Sequence, residues 1–168
     1  MVMTQDAGRL FELYYSPLVR MLWRRTGDRD RAEELAQETL ARAVEAPPMN
    51  PRPWLFAVAL NLVREDGRRA ARQGRRLQLL KAESPSAAPA ADVEFERRER
   101  QAAVRAALAC LNERDREALL LKAEGFSYDE IAASLGLARG AIGTTLARAR
   151  KRLVEAFRAG ETTRHAAS

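Results

Sequence analysis

The sequence has little of what most enzymes need. Its 168 residues include one cysteine, Cys110, and one histidine, His165. A single cysteine cannot form an intramolecular disulfide, and one histidine without clustered partners offers neither a metal site nor a general base for a nucleophile. We therefore expect no metal, no cofactor and no catalytic residue. We expect Cys110 to be a small, buried core residue.

Long apolar runs are also missing. No stretch approaches the roughly 18 apolar residues that cross a bilayer, and the N-terminus lacks the basic and apolar segments of a secretory signal. The sequence therefore predicts a cytoplasmic protein without membrane insertion. Basic charge, in contrast, is abundant, with a formal net charge of +6. This balance favours a polyanionic partner, either nucleic acid or an acidic membrane surface.

A segment poor in large side chains divides the chain. Residues 83–92 contain prolines and no large apolar residue, so they cannot bury a helical face. Apolar residues recur at steps of three and four on both sides, and strand alternation appears nowhere. We predict an all-α fold of two small helical domains. The predicted limits are 5–80 for the first domain, 81–95 for a flexible linker, 96–158 for the second domain and 159–168 for a tail.

Three helices are predicted before the linker. The first carries an apolar stripe over residues 10–23 that includes Phe11 and Leu13. A second helix follows, and a third spans about 54–72. Gly67 replaces an apolar residue in the third helix, which is expected to fray early because glycine is a poor helix former.

One face of the predicted third helix is rich in hydrogen-bond donors, because helical steps of three and four align its polar side chains. The members of this donor strip are Asn61, Arg64, Arg68, Arg72 and Arg75. The strip suits a nucleic acid, and sequence-independent phosphate or RNA binding stays open as an alternative. Trp54, at the start of the helix, is expected to be a core residue rather than a base-stacking one.

Four helices are predicted after the linker, over residues 94–110, 113–123, 127–135 and 139–158. Ser127 and Glu130 have capping-box spacing, and Gly136 permits a left-handed turn. This pattern is typical of a helix-turn-helix, whose second helix enters the major groove. The exposed positions of that helix are predicted to be Arg139, Thr144, Thr145, Arg148, Lys151 and Arg152. The alternative is a helical hairpin with a solvated basic face.

Three segments resemble the group 4, or extracytoplasmic-function, sigma factors of the sigma-70 family. Residues 31–40, R-A-E-E-L-A-Q-E-T-L, are similar to the polymerase-binding helix of that family, usually written A-E-D-L-V-Q-E-T-F. Residues 54–61 resemble its W-L-x-x-I-A-x-N run, and residues 111–150 resemble sigma region 4. The resemblance extends over most of the chain, with both domains in the family's order.

The resemblance implies a factor that binds core RNA polymerase and starts transcription at promoter DNA, under the control of an anti-sigma factor. The second helix would dock on the β′ coiled coil of the polymerase through Glu34, Gln37 and Glu38. The third helix would face the minus-ten element, and the last helix would read the minus-thirty-five element. The implied minus-ten residues are Asn61, Arg64, Arg68 and Arg72. On the last helix, Thr144 and Thr145 would touch bases while the basic residues hold phosphates.

The last helix departs from the family pattern. Residues 140–146 read G-A-I-G-T-T-L where the family usually has G-T-V-K-S-R-L, so two basic positions are absent. This departure keeps a second hypothesis open. In it, the chain is a sigma mimic or a helix-turn-helix regulator that binds an anti-sigma factor or DNA without starting transcription.

Overall fold

The computed structural model describes residues 2–77 and 92–166, with side chains for residues 6–74 and 92–166. These two ranges, called here the first half and the second half, contain α-helices and no strand, so the predicted all-α class is confirmed. The helices are α1 (Val2–Thr26), α2 (Arg29–Glu45), α3 (Pro51–Leu77), α4 (Asp92–Ala109), α5 (Glu113–Ala123), α6 (Tyr128–Leu135) and α7 (Arg139–Ala166). None of these helices is long and apolar enough to cross a membrane.

The first half is a three-helix unit around an apolar core. Helix α1 ends at Thr26 and is followed by Gly27, whose φ of 75° is readily adopted only by glycine. Asp28 then caps α2 by accepting a hydrogen bond from the Arg31 backbone N–H. The buried side chains include Leu18, Met21, Leu22, Leu35, Ala36, Leu40, Leu55, Phe56, Leu60, Leu62 and Val63. Burial of these side chains fixes the three helices against one another.

Two predictions for the first half are wrong. Phe11 and Leu13 lie outside the core, with 48% and 54% of their surface exposed, and the Phe11 ring stacks on Tyr15 instead. Helix α3 does not fray at Gly67 but continues to Leu77. Next to Gly67, the Asp66 carboxylate accepts hydrogen bonds from Arg31 Nε and Nη2 at 2.7 and 2.6 Å. This clamp to α2 supports α3 at the point where glycine weakens it.

The second half begins and ends in longer helices than the sequence predicts. Helix α4 starts at Asp92, so the last residues of the predicted linker are helical, and α7 runs to Ala166 through most of the predicted tail. The rest of the predicted linker, residues 81–91, lies outside the described residues. Cys110 is exposed, which corrects its predicted burial. It follows the end of α4, where Ala107 and Leu108 take the inward positions.

The two halves pack directly against each other. Helix α6 lies against α3, and α5 contacts α1. The rings of Phe56 and Phe126 meet with centroids 4.7 Å apart, and the Ser134 hydroxyl donates to the Pro53 carbonyl oxygen at 3.2 Å. We call this contact region the seam. The helical pattern of the sequence gave no sign that it exists.

Candidate nucleic-acid interface

The helix-turn-helix forms where the sequence predicts it. Ser127 caps α6 by accepting from the Glu130 backbone N–H, while the Glu130 carboxylate accepts from the Ser127 N–H at 2.8 Å. That hydrogen bond lowers the pKa of Glu130, because it favours the charged carboxylate. Gly136 has a φ of 62° and ends α6 in the left-handed conformation. These local features place the first turns of α7 on the surface.

The exposed face of the first turns of α7 carries small residues, with a basic side chain before them and another after them. Arg139, Thr144 and Lys151 are exposed, as predicted. Thr145 is not, because 5% of its surface is accessible, and its predicted exposure is wrong. The helical repeat places position 145 beside Ile142, Leu146 and Ala149 on the buried face of α7. Thr145 is therefore a core residue, and Thr144 is the threonine that can reach a groove.

A buried carboxylate holds the two arginines further along α7. The Asp115 side chain is fully buried and accepts from Arg148 Nη2 at 2.6 Å and from Arg152 Nη1 at 3.2 Å. Hydrogen bonding from Arg148 lowers the pKa of Asp115, since the charged carboxylate is the better acceptor. Both arginine side chains stay about half exposed. They are held in place on the surface of α7, with nitrogen atoms left to face solvent.

The donor strip of α3 is split between the surface and the seam. Arg68 and Arg72 are exposed near the end of the helix. Arg64 lies at the seam, where its Nε donates to Glu117 at 2.9 Å and its Nη1 donates to Asn61 Oδ1 at 2.8 Å. The side chain of Arg75 lies outside the described residues. The structure therefore presents two of these arginines to solvent and engages a third with the second half.

Trp54 lies at the first turn of α3, partly buried and packed against the hydrophobic core. This position agrees with the predicted core role. Pro51 and Pro53 occupy the first helical positions, where a missing backbone N–H costs the helix nothing.

An acidic face covers the exposed side of α2. Glu34, Gln37 and Glu38 all lie on the surface, opposite the buried Leu35 and Leu40. Within the helix, Glu34 accepts from Arg31 and Glu38 accepts from Arg42, at 2.6 and 2.8 Å. Such exposed pairs contribute little to stability, so these carboxylates remain available to a basic partner.

The glutamates of the seam were not predicted from the sequence. Glu117 precedes Ala118 and lies one helical turn before Leu121, and all three face inward on α5. The signal in the sequence was a charged residue within an apolar stripe of the helix. It indicates a paired charge, because a buried carboxylate requires a partner. Its partner is Arg64, and burial raises the pKa of Glu117 against the lowering effect of that guanidinium.

Comparison with known proteins gives both halves a family. Residues 10–73 match the model of sigma-70 region 2, and residues 101–153 match that of sigma-70 region 4. An ECF RNA polymerase sigma factor, EcfG of Rhodopseudomonas palustris (strain TIE-1), is 39% identical over 139 residues, which cover 76% of this chain and 72% of that protein. The chain belongs to the extracytoplasmic-function sigma factors.

A solved sigma factor structure matches most of the chain. The sigma factor RpoE of Bartonella quintana, crystallised in complex with the anti-sigma factor NepR, superposes with a TM-score of 0.68 at 29% identity. The match covers 92% of this chain and 98% of that one. In this sigma factor, region 2 corresponds to α1–α3, and region 4 corresponds to the helices from α4 into α7. The predicted domain limits, 5–80 and 96–158, are wider than the matched ranges and stay predictions.

Proposed function

We propose that this sigma factor binds core RNA polymerase through the acidic face of α2 and reads promoter DNA through α3 and α7. The observation that carries the proposal is the distribution of exposed charge. The acidic face of region 2 and the basic end of α7 in region 4 are separate surfaces of one chain, each on a helix with a well-packed opposite face. One surface suits a basic protein partner, and the other suits DNA phosphates.

The polymerase contact is proposed for Glu34, Gln37 and Glu38. These side chains lie on consecutive turns of one helix and are all exposed, so a rigid partner could meet all three together. The partner proposed from the family is the β′ coiled coil of core polymerase. Opposite charges at such a surface would raise the association rate and fix the orientation of the complex.

The minus-thirty-five contact is proposed for the exposed residues of α7. Thr144, beside Gly143 and Ala147, would face base edges, and small neighbours would let the helix approach the groove closely. Phosphate contacts are proposed for Arg139, Arg148, Lys151 and Arg152. Because Asp115 holds two of these arginines, their guanidinium groups would lose little side-chain freedom on binding.

The minus-ten contact is proposed for Asn61, Arg64, Arg68 and Arg72 of α3. The exposed arginines would hold phosphates, and the Asn61 amide could hydrogen-bond a base edge. Among these residues, Arg64 is engaged by Glu117 and would have to leave that partner to reach DNA.

The remaining proposals concern the setting of the protein. We propose that it acts in the cytoplasm, carries out no covalent chemistry and requires no cofactor. An anti-sigma factor is proposed as its regulator, because the related RpoE was crystallised in complex with one. The described residues contain no cluster of metal-ligating side chains.

The test is transcription in a purified system. Full-length protein, core RNA polymerase and a DNA template carrying the region upstream of its own gene should give a discrete transcript that core enzyme alone does not make. Absence of a transcript from this template and from a library of promoters would overturn the proposal. If the protein then bound an anti-sigma factor but not core polymerase, the sigma mimic considered from the sequence would replace it.

A further inference from the structure

An arginine–carboxylate pair joins α2 to α3 close to the proposed DNA contacts. The Asp66 carboxylate accepts from Arg31 Nε at 2.7 Å and from Arg31 Nη2 at 2.6 Å, so each of its oxygens takes one of two parallel donors. This is the strongest and most directional form of such a pair. Hydrogen bonding from Arg31 lowers the pKa of Asp66, and the carboxylate is therefore charged at neutral pH.

Beyond this pair, α3 projects from region 2 with little support. Residues 67–73 are all exposed, and the proposed DNA contacts Arg68 and Arg72 lie among them. A Cβ added at Gly67 would meet no atom within 4 Å, so side-chain packing does not hold the helix at that point. Within the described part of the chain, Asp66 is the last residue of α3 that has a hydrogen bond to α2.

The direction of α3 at Asp66 decides where its arginines meet DNA. Arg72 follows Asp66 by six residues, which correspond to about 9 Å along a helix axis. A tilt of about 15° at Asp66 would therefore move Arg72 by about 2 Å. A displacement of that size breaks a contact to a phosphate, because charged donors and acceptors bond at about 2.7–2.9 Å.

We infer that Arg31 is a positioning residue for the minus-ten contact, and that its pair with Asp66 sets the direction in which α3 leaves region 2 and so places Arg68 and Arg72 against DNA. The inference rests on the proposed function, because it takes these arginines as DNA contacts. Arg31 Nη1 also donates to Glu34, a proposed polymerase contact, at 2.6 Å. One guanidinium group thus fixes the two proposed surfaces of region 2 relative to each other.

The first test keeps every charge and changes only the geometry. Arg31→Lys retains the positive charge, but a single nitrogen cannot supply the two parallel donors that Asp66 now binds. The matched control is Arg29→Lys, since Arg29 also pairs with a glutamate on the surface of α2. Each full-length variant is assembled with core RNA polymerase and titrated against a fluorescein-labelled fragment of the DNA upstream of its own gene. We expect Arg31→Lys to bind the fragment about threefold more weakly than the control.

The second test uses the sign of the change in affinity. Asp66→Asn removes a negative charge close to DNA, so an effect of charge alone would tighten binding. Glu65→Gln removes the same charge at the preceding, exposed position of α3 and leaves the pair intact. We expect Asp66→Asn to bind the fragment about threefold more weakly than Glu65→Gln. Its affinity for core polymerase should be unchanged, because Arg31 still donates to Glu34.

Exchange of the two residues provides a rescue. Arg31→Asp alone places two carboxylates together and should weaken binding to the fragment. Arg31→Asp with Asp66→Arg keeps the net charge and restores an ion pair between α2 and α3, so its affinity should return to within about twofold of the unsubstituted protein. Urea unfolding of each variant shows that it is folded under the conditions of the binding assay, which separates positioning from a loss of stability.

Three results would overturn this role of Arg31 while the proposed function stands. They are an Arg31→Lys variant that binds the fragment as tightly as Arg29→Lys, an Asp66→Asn variant that binds no more weakly than Glu65→Gln, and an exchange that restores no affinity. Failure of the proposed function would look different, because the unsubstituted chain with core polymerase would then bind the fragment no better than core polymerase alone. That result would overturn the role of Arg31 as well.

Discussion

Phe56 of α3 and Phe126, in the turn between α5 and α6, stack across the two halves with their rings tilted by 59°. Neither ring reaches solvent, so an aromatic contact links the two sigma regions at the centre of the seam. The geometry is one that aromatic pairs favour, since the positive edge of one ring approaches the negative face of the other.

This contact predicts energetic coupling between the two halves. Phe56→Leu and Phe126→Leu should each destabilise the protein, and the double variant should lose about 1 kcal/mol less than the sum of the single losses. Urea unfolding of the four proteins measures the coupling free energy. Additive losses would show that the halves do not hold each other in solution.

The buried carboxylate of Asp115 predicts a pH dependence of stability. Its pKa in the folded state lies below its unfolded value, because Arg148 donates to the charged form. The unfolded chain therefore binds a proton more readily, and the stabilisation present above about pH 4 is lost as the pH falls through the folded pKa. Asp115→Asn should remove this part of the dependence.

At neutral pH, Asp115→Asn should lower the free energy of unfolding by about 2 kcal/mol, because two guanidinium groups lose a charged acceptor. The difference from the unsubstituted protein should shrink as the pH is lowered toward 3. Urea titrations at a series of pH values provide the comparison. Asp66 and Glu130, whose pKa values are also lowered, are present in both proteins, so their contribution cancels in the difference. A difference that stays constant with pH would contradict this explanation.

Two glycines should respond to alanine in opposite directions. A Cβ at Gly143 would lie 3.7 Å from Tyr128 Cε2, an ordinary contact, so Gly143→Ala should stabilise α7 by about 1 kcal/mol. Gly136 has space around it but a φ of +62°, so Gly136→Ala should destabilise the turn by about 1 kcal/mol. Thermal melting of the two variants gives the signs, and equal shifts would contradict the account of the turn.

The helix-turn-helix could be predicted almost residue by residue because its signals are local. The capping pair Ser127 and Glu130, the glycine turn at Gly136 and the apolar spacing of α7 all act within a few residues of one another. Errors occurred where local pattern was ambiguous. Thr145 lies on the buried face of α7 directly after the exposed Thr144, and Cys110 follows the last turn of α4. At both positions, a shift of one residue along the helix decides whether a side chain points into the core or toward solvent.

The seam could not be predicted from the sequence. Its arginines and glutamates are separated by 49 residues or more along the chain, as with Arg64 and Glu113. Apart from Glu117, each alone looks like an ordinary surface charge. The pairing depends on how one domain is set against the other, which helical periodicity does not contain. The polar residues of both proposed DNA helices were found, but their division between solvent and seam needed the structure.

The most direct test of the sigma account is the affinity of the purified protein for core RNA polymerase after charge reversal on α2. Glu34→Lys with Glu38→Lys changes exposed side chains whose pairs within the helix are worth little, so circular dichroism should show an unchanged fold. Glu12→Lys with Glu155→Lys makes the same charge change elsewhere on the surface. We predict that the α2 variant binds core polymerase at least about tenfold more weakly than this control. Equal affinities of the two variants would contradict the account.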